Sequence, residues 1–117
     1  MNQTEQLNRI FGALTDPSRR AILARLERAH DGASVSDLAQ PLSITLPAVM
    51  KHLDILDDAG LISRTKSGRV VTVKLSPASM RAAMAWLRRY ERFWSASLDR
   101  LTIYAEAKEA AARKDGK

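Results

Sequence analysis

The spacing of apolar residues predicts that the chain begins with two helices. The first apolar stripe recurs every three or four residues, the period of one helix face, and comprises Leu7, Ile10, Phe11 and Leu14. Asp16 followed by Pro17 predicts a new helix start, because aspartate accepts hydrogen bonds from first-turn amides and proline has no amide proton to leave unpaired there. A second helix is therefore expected over about residues 17–29.

The segment after residue 33 carries the start and stop signals of a short helix. Ser34 and Asp37 resemble a capping box, in which each side chain pairs with the backbone of the other residue. Pro41 disfavours helical geometry at the residue before it and would remove a hydrogen bond from any continuation. We therefore predict a helix near residues 35–41 that ends close to the proline.

A longer amphipathic helix is predicted over residues 46–59. Thr45 can cap its first turn, and Gly60 can adopt the left-handed conformation that commonly ends a helix. One side of the helical wheel combines Leu46, Val49, Leu53, Leu56 and Ala59, and the opposite side combines Pro47, Lys51, Asp54 and Asp58. Two helices joined by a tight turn form a helix-turn-helix, whose second helix exposes its N-terminal portion.

Residues 62–75 show the pattern of a β-hairpin. In the second half, Val71, Val73 and Leu75 alternate with Val70, Thr72 and Lys74, and Gly68 supplies the turn conformation. Three basic residues lie near the predicted tip, namely Arg64, Lys66 and Arg69. A helix-turn-helix followed by a hairpin with a basic tip is the layout of a winged helix.

The last helical stretch is predicted to start at Pro77 and to run to about Lys108. One apolar stripe comprises Met84, Leu87, Trp94, Leu98, Leu101 and Ala105, and a neighbouring one comprises Trp86, Tyr90, Phe93 and Tyr104. A helix this long cannot bury both stripes against so small a domain, and packing against a second copy would solve the problem. The alternative is that the helix folds back and its aromatic residues join the core.

These elements predict a mainly α protein with a small β-hairpin and a long C-terminal dimerisation helix. The 117 residues are expected to form one domain over residues 1–108, with dimerisation helices at both ends. The alanine- and lysine-rich residues 109–117 are expected to fray.

The distribution of charged residues along the chain indicates a preference for polyanionic partners. The net charge is +6, and it is concentrated in residues 61–117, which contain thirteen Lys or Arg and five Asp or Glu. Such a positive field favours DNA, RNA or an anionic membrane surface, although basic helices are often only solvated faces.

The residue types exclude several other classes of function. The chain has no cysteine, which excludes disulfides, thiolate metal sites and a cysteine nucleophile. No secretory segment, lipidation motif or long apolar run is present, so the protein is expected to be cytoplasmic with no membrane partner. We also find no nucleophile with a base, no paired-carboxylate cleft and no glycine-rich phosphate loop, so an enzyme is not expected.

Two segments resemble the ArsR (SmtB-like) family of bacterial winged-helix repressors. They read FGALTDPSRRAILARL and VSDLAQPLSITLPAVMKHLDILDDAGLISRTKSGRVVTVKL, and the likeness extends over about residues 7–105. The helix around Trp94 is similar to that of metal-independent members. The resemblance implies a homodimer that binds double-stranded DNA, with each recognition helix in a major groove, each wing on the flanking backbone or minor groove, and terminal helices holding the dimer together.

Carried onto this chain, the resemblance implies a recognition helix over residues 46–59 and a wing over residues 62–75. Base edges are expected to meet Leu46, Pro47, Ala48, Lys51 and His52, and phosphates are expected to meet Arg64, Lys66 and Arg69. For Lys51, a phosphate contact is the alternative to base contact. For His52, which borders the buried side, a structural hydrogen bond is the alternative to base contact. Met50 stands where the usual motif has serine, which exchanges a hydroxyl donor for an apolar contact.

No metal or other cofactor is expected. Metal-sensing members carry Cys-Val-Cys where this chain has Ser34-Val35-Ser36, and a pair of hydroxyls binds soft metals poorly. The predicted last helix has no histidine, and His30 beside Asp31 lacks a third ligand. The resemblance therefore predicts a repressor without the cysteine metal site, whose effector, if any, is unknown. The alternative from another class is a winged-helix dimerisation or protein-interaction module without specific DNA binding.

Overall fold

The computed structural model describes residues 2–115, which form two compact units that divide between Ala83 and Met84. The elements are α1 (Gln3–Ala13), α2 (Pro17–Arg28), β1 (Ala33–Ser34), α3 (Val35–Ala39), a 3-10 turn (Gln40–Leu42), α4 (Leu46–Asp58), β2 (Ile62–Ser67), β3 (Val70–Leu75), α5 (Pro77–Arg88) and α6 (Glu91–Asp115). The predicted fold class, mainly α with a small hairpin and a long C-terminal helix, is confirmed.

The predicted helix starts are confirmed by side-chain caps. Asp16 accepts hydrogen bonds from the amides of Ser18 and Arg19, and the Ser34 hydroxyl accepts one from the amide of Asp37. The Thr45 hydroxyl accepts a hydrogen bond of 3.3 Å from the amide of Ala48. Each cap satisfies a first-turn donor that has no partner within its own helix.

Gly60 ends α4 for two separate reasons. Its φ of 72° lies in the left-handed region, and the amides of Gly60 and Leu61 donate to the carbonyls of Asp57 and Leu56, which is the bonding pattern of a Schellman motif. A Cβ atom at Gly60 would also overlap the Ser79 side chain. Any other residue would therefore strain the backbone and force the Ser79 hydroxyl to move.

The hairpin forms part of a three-stranded antiparallel sheet with strand order β1-β3-β2. The register of β2 and β3 runs from Ile62 opposite Leu75 to Ser67 opposite Val70. Gly68 has a positive φ of 62° at the first of two loop positions, as in a type II′ turn. β1 was not predicted, because a strand of two residues is too short to show an alternating pattern.

The core lies in the first unit and joins its helices to the sheet. Its largest fully buried side chains are Ile10, Ile22, Leu38, Val49, Leu53, Leu56, Leu61 and Val73. Burying an aliphatic side chain of this size stabilises a fold by about 1.5–3 kcal/mol. Leu46, which the wheel grouped with the buried side of α4, is instead 51% exposed, since it occupies the first position of the helix and lies beyond the edge of the core.

The long C-terminal helix predicted from Pro77 to Lys108 is interrupted, so that prediction was wrong in detail. α5 ends at Arg88 and α6 begins at Glu91. Between them, the amides of Arg89 and Tyr90 donate 3-10-type hydrogen bonds to the carbonyls three residues earlier. Charge favours a break here, because Arg88 lies at the negative end of one helix dipole and Glu91 at the positive end of the next. α6 then continues to Asp115, past the predicted start of a frayed tail at residue 109, and residues 116–117 lie outside the described part.

The second unit leaves most of its large apolar side chains exposed, with Trp86 half-buried. Trp94 is 58% exposed, and the other exposed residues of this kind are Met84, Leu87, Tyr90, Phe93, Leu98, Leu101, Ile103 and Tyr104. Phe93 and Trp94 meet edge to face with ring centroids 5.2 Å apart, but this contact covers little of either ring. Within the second unit, these aromatic residues therefore form no core of their own. Within residues 2–115, no helix is both long and apolar enough to cross a bilayer.

Candidate nucleic-acid interface

The recognition region is built by α3, the 3-10 turn and α4. α3 ends at Ala39, close to Pro41 as predicted, but Gln40 keeps helical angles (φ −57°, ψ −50°), so Pro41 lies within a 3-10 continuation. Ser43 follows with a left-handed φ of 54°. Ile44 then packs against the core. These residues connect the 3-10 turn to the capped start of α4, which lies at the protein surface.

α4 has a buried side and an exposed leading end. Val49, Leu53 and Leu56 are fully buried. Of the five residues predicted to meet base edges, Leu46, Pro47 and Lys51 are exposed, and Ala48 and His52 are half-buried. The start of the helix thus offers small and apolar groups beside one ammonium group.

Met50 belongs to the same exposed surface, although the predicted set of base-contacting residues omitted it. It is exposed and lies one helical turn after Leu46, so both side chains project from the same side. That four-residue spacing was the available signal in the sequence. Met50 adds a flexible apolar side chain to the leading end of α4.

His52 makes the structural contact that the sequence left open as an alternative. Its Nδ1 lies 3.3 Å from the Nη1 of Arg19 in α2. Because a guanidinium group only donates hydrogen bonds, this contact is a hydrogen bond when Nδ1 of the ring is unprotonated and Nε2 carries the proton. The contact therefore leaves His52 with a donor at its other ring nitrogen, and structural contact and base contact do not exclude each other.

Arg19 connects three helices, namely α2, which carries it, α1 and α4. Only 13% of its side chain is exposed. Besides approaching His52 in α4, its Nε donates to the carbonyl of Ala13 at 2.8 Å and its Nη2 donates to the carbonyl of Gly12 at 3.4 Å, both in α1. These bonds use carbonyls at the end of α1 that have no partner within the helix.

Asp16 supplies the negative charge beside this cluster. Partial burial opposes its ionisation, but the amides of Arg19 and Ser18, with the nearby Arg19 and His52 side chains, outweigh that effect and hold the Asp16 pKa below its ordinary value. Its contribution to stability is therefore present above the unfolded-state pKa and is lost as the pH falls through the lower folded-state pKa.

The three basic residues of the hairpin have different surroundings. Lys66 and Arg69 are exposed, and within residues 2–115 their side chains make no hydrogen bond or ion pair. Arg64 instead contacts two carboxylates of α4: its Nη1 lies 2.8 Å from Asp54 and its Nη2 lies 2.8 Å from Asp57. The hydrogen bond to Asp54, opposed by partial burial and reinforced by Asp57, raises the pKa of the Arg64 guanidinium.

The residues considered for metal binding have other surroundings. Ser34, at the first position matching the metal-sensing motif, caps α3 with its hydroxyl, and His30 and Asp31 are exposed. Among residues 2–115, no group of three or more His, Cys, Asp or Glu side chains is arranged to hold a metal ion.

The two helices, the capped leading end of α4 and the basic hairpin define a winged helix-turn-helix domain. Residues 14–65 match the family model described as a helix-turn-helix domain. The HTH-type transcriptional regulator Rv2034 of Mycobacterium tuberculosis is 36% identical over 85% of both chains. SdpR of Bacillus subtilis, named a transcriptional repressor, is 29% identical over 72% of this chain and 91% of its own.

A solved structure agrees with these relatives. The crystal structure of an ArsR family transcriptional regulator superimposes with a TM-score of 0.72 at 46% identity, covering 79% of this chain and 93% of the other. The chain belongs to the ArsR family of winged helix-turn-helix transcriptional regulators.

Proposed function

We propose that the protein is a homodimeric repressor that binds an imperfect palindrome in double-stranded DNA and blocks transcription. The observation that carries the proposal is the exposed leading end of α4 beside a hairpin with two exposed basic side chains, Lys66 and Arg69, which have no ion-pair partner in the part of the chain that the structure describes. SdpR is itself named a transcriptional repressor, which supports this mode of action. The protein acts by occupying DNA in the cytoplasm and not by turnover, as its relatives are named as regulators.

The leading end of α4 suits the major groove. Leu46, Pro47 and Met50 offer apolar surface to thymine methyl groups, and Lys51 is a donor for the O6 and N7 of guanine. The small side chain of the half-buried Ala48 allows the helix backbone to approach the base edges closely. The Nε2 donor of His52 adds a further candidate contact to guanine. Asp54, Asp57 and Asp58 make the second half of the helix acidic, and Arg64 pairs with only the first two of them, so the first half of the helix enters the groove.

Lys66 and Arg69 supply the phosphate contacts of the wing. Each phosphate neutralised by a protein cation releases counterions, which makes affinity fall with salt concentration. A monomer with so few contacts binds weakly, and a dimer doubles both the contacts and the salt dependence. Dimerisation is therefore part of the mechanism.

The dimer forms through the C-terminal helices. α6 contains 25 residues and is about 37 Å long, and its exposed apolar residues extend from Phe93 to Tyr104. An exposed surface of this composition marks an interaction site, and two copies related by a two-fold axis cover it symmetrically. In such a dimer each protomer contributes one recognition helix, and the operator is expected to present its two half-sites on successive major grooves, about 34–36 Å apart.

We place the protein in the metal-independent branch of the family, with no resident cofactor. Support comes from serine at both outer positions of the cysteine motif and from the use of the Ser34 hydroxyl as a helix cap. A small-molecule effector is not assigned.

The experiment is a binding titration with DNA from upstream of the protein's own gene and a scrambled duplex of equal length. We expect affinity for the upstream DNA to be about a thousandfold higher at physiological salt.

Lys51→Ala is expected to reduce this preference by roughly tenfold, since it removes an exposed donor from the leading end of α4. The control Arg28→Ala removes an exposed charge from α2 and is expected to leave the preference unchanged. Equal binding to both duplexes, even at low salt, would contradict the proposal.

A further inference from the structure

We propose that Arg64 is a positioning residue for DNA binding, which acts through Asp54 and Asp57 and does not itself contact phosphate. The inference rests on the proposed function and divides the three basic residues of the wing into two roles. Lys66 and Arg69 remain the phosphate contacts, whereas Arg64 neutralises the carboxylates of the recognition helix and holds the wing against it.

The guanidinium of Arg64 is already occupied by protein groups. Its Nε donates to Asp57 Oδ2 at 2.9 Å, its Nη2 lies 2.8 Å from the same oxygen, and its Nη1 donates to Asp54 Oδ1 at 2.8 Å. All three nitrogens of the rigid fork therefore face carboxylate oxygens, an arrangement that one lysine ammonium cannot reproduce. With 24% of the side chain exposed, little of Arg64 is left to reach a phosphate.

The hairpin register explains why Arg64 points towards α4. Arg64 lies opposite Val73, which is fully buried, so the two share the inner face of the hairpin. Along that face burial decreases towards the tip, from buried Ile62 through half-buried Arg64 to exposed Lys66. Arg64 is therefore the last residue of β2 on this face that α4 holds in place.

The charges on α4 make this contact relevant to DNA. Asp54 lies on the same side of the helix as Pro47 and Lys51, and it follows Lys51 by less than one turn, a rise of about 4.5 Å. Its side chain remains 60% exposed despite the ion pair. A DNA duplex that accepts Lys51 thus approaches Asp54 as well, and the Arg64 cation offsets the repulsion between this carboxylate and the phosphates.

A double-mutant cycle on DNA affinity tests the inference. The proteins are the unmodified chain, Arg64→Ala, the double variant D54N/D57N and the triple variant R64A/D54N/D57N, measured at several salt concentrations. We expect Arg64→Ala to weaken binding roughly tenfold, because it exposes two uncompensated charges near the phosphates. In the D54N/D57N background, loss of Arg64 is expected to change affinity by less than about twofold.

A matched control distinguishes a phosphate contact from this role. Lys66→Ala is expected to weaken binding to the same extent with and without the two carboxylates, since Lys66 has no ion pair with either. If Arg64→Ala behaved like Lys66→Ala, with equal losses in both backgrounds, Arg64 would be a phosphate contact and the inference would be overturned.

One further readout separates an effect on folding from an effect on DNA binding. Thermal unfolding of each variant shows whether an affinity change reflects loss of folded protein, and a change fully accounted for by the folded fraction would also overturn the inference. If Arg64→Ala fails to fold, the comparison of the double with the triple variant decides the question alone. Absence of specific binding by the unmodified chain would instead remove the proposed function, and this inference with it.

Discussion

The two units of the molecule differ in how far their large apolar side chains are buried. In the first unit, residues from α1, α2, α3, α4 and the sheet bury one another, and the largest of them are fully buried. In the second unit, aromatic and aliphatic residues of similar size remain more than half exposed along α6. The first unit therefore completes its own core, whereas the second presents a surface that one chain does not cover.

This difference divides the proposed mechanism between the units. The self-contained unit holds the leading end of α4 and the wing in a fixed geometry, which recognition of DNA requires. The exposed apolar residues of the second unit favour association of two copies, because association would bury them. Stability is expected to depend on the first unit and assembly on the second, and substitutions in each can test this separation.

The largest effect is expected from Leu53→Ala in the first unit. Leu53 is fully buried in the middle of α4, so the truncation leaves a cavity and lowers the free energy of unfolding by about 2–5 kcal/mol. Urea denaturation at two protein concentrations measures this loss, with Leu98→Ala in α6 as the matched control. The two variants are expected to differ, because loss of an interface residue acts through a concentration-dependent equilibrium. Equal and concentration-independent losses would contradict the division between the units.

A smaller effect is expected from L98E/L101E in the second unit. Two carboxylates on the exposed apolar face are expected to convert the dimer into monomers and to reduce operator affinity on the order of a hundredfold, since the two half-sites no longer bind together. Sedimentation measures the mass, and a titration measures the affinity. Arg100→Glu is the control, because it changes the net charge of α6 by the same amount without removing an apolar contact. A dimer that survives L98E/L101E would show that α6 is not the interface.

The smallest of these effects is expected from K66A/R69A at the wing. The variant is expected to bind all duplexes roughly tenfold more weakly and to lower the salt slope by about 2 for each protomer, as two phosphate contacts are lost. The preference for the operator over scrambled DNA is expected to stay the same. Titrations at four salt concentrations on both duplexes check this. A changed sequence preference would assign base contacts to the wing.

Local signals allowed much of the DNA-facing region to be predicted from the sequence. The start of α4 at Leu46 was predicted because Thr45 can cap a helix, and its end was predicted because Gly60 can adopt the left-handed conformation. The hairpin over residues 62–75 was predicted because Gly68 suits a tight turn. Alternation and helical periodicity supplied the remaining boundaries. Such signals depend on neighbours in the chain, so they can be read without knowledge of the tertiary structure.

The features that were missed depend on distant residues or on weak local preferences. Arg19 meets His52 thirty-three positions away, and Arg64 meets Asp54 ten positions away, so no periodic pattern reveals either pair. The break at Arg89 and Tyr90 contains neither proline nor glycine, and only the charges beside it favour two helix ends. The assignment of individual residues to bases or phosphates stays a prediction.

The most direct test of the account is the mass of the complex between the unmodified protein and its operator, measured by sedimentation at physiological salt. The account predicts a dimer in solution and a complex of two chains with one duplex, formed in preference to scrambled DNA. A protein that sediments as a monomer and binds both duplexes equally would contradict it.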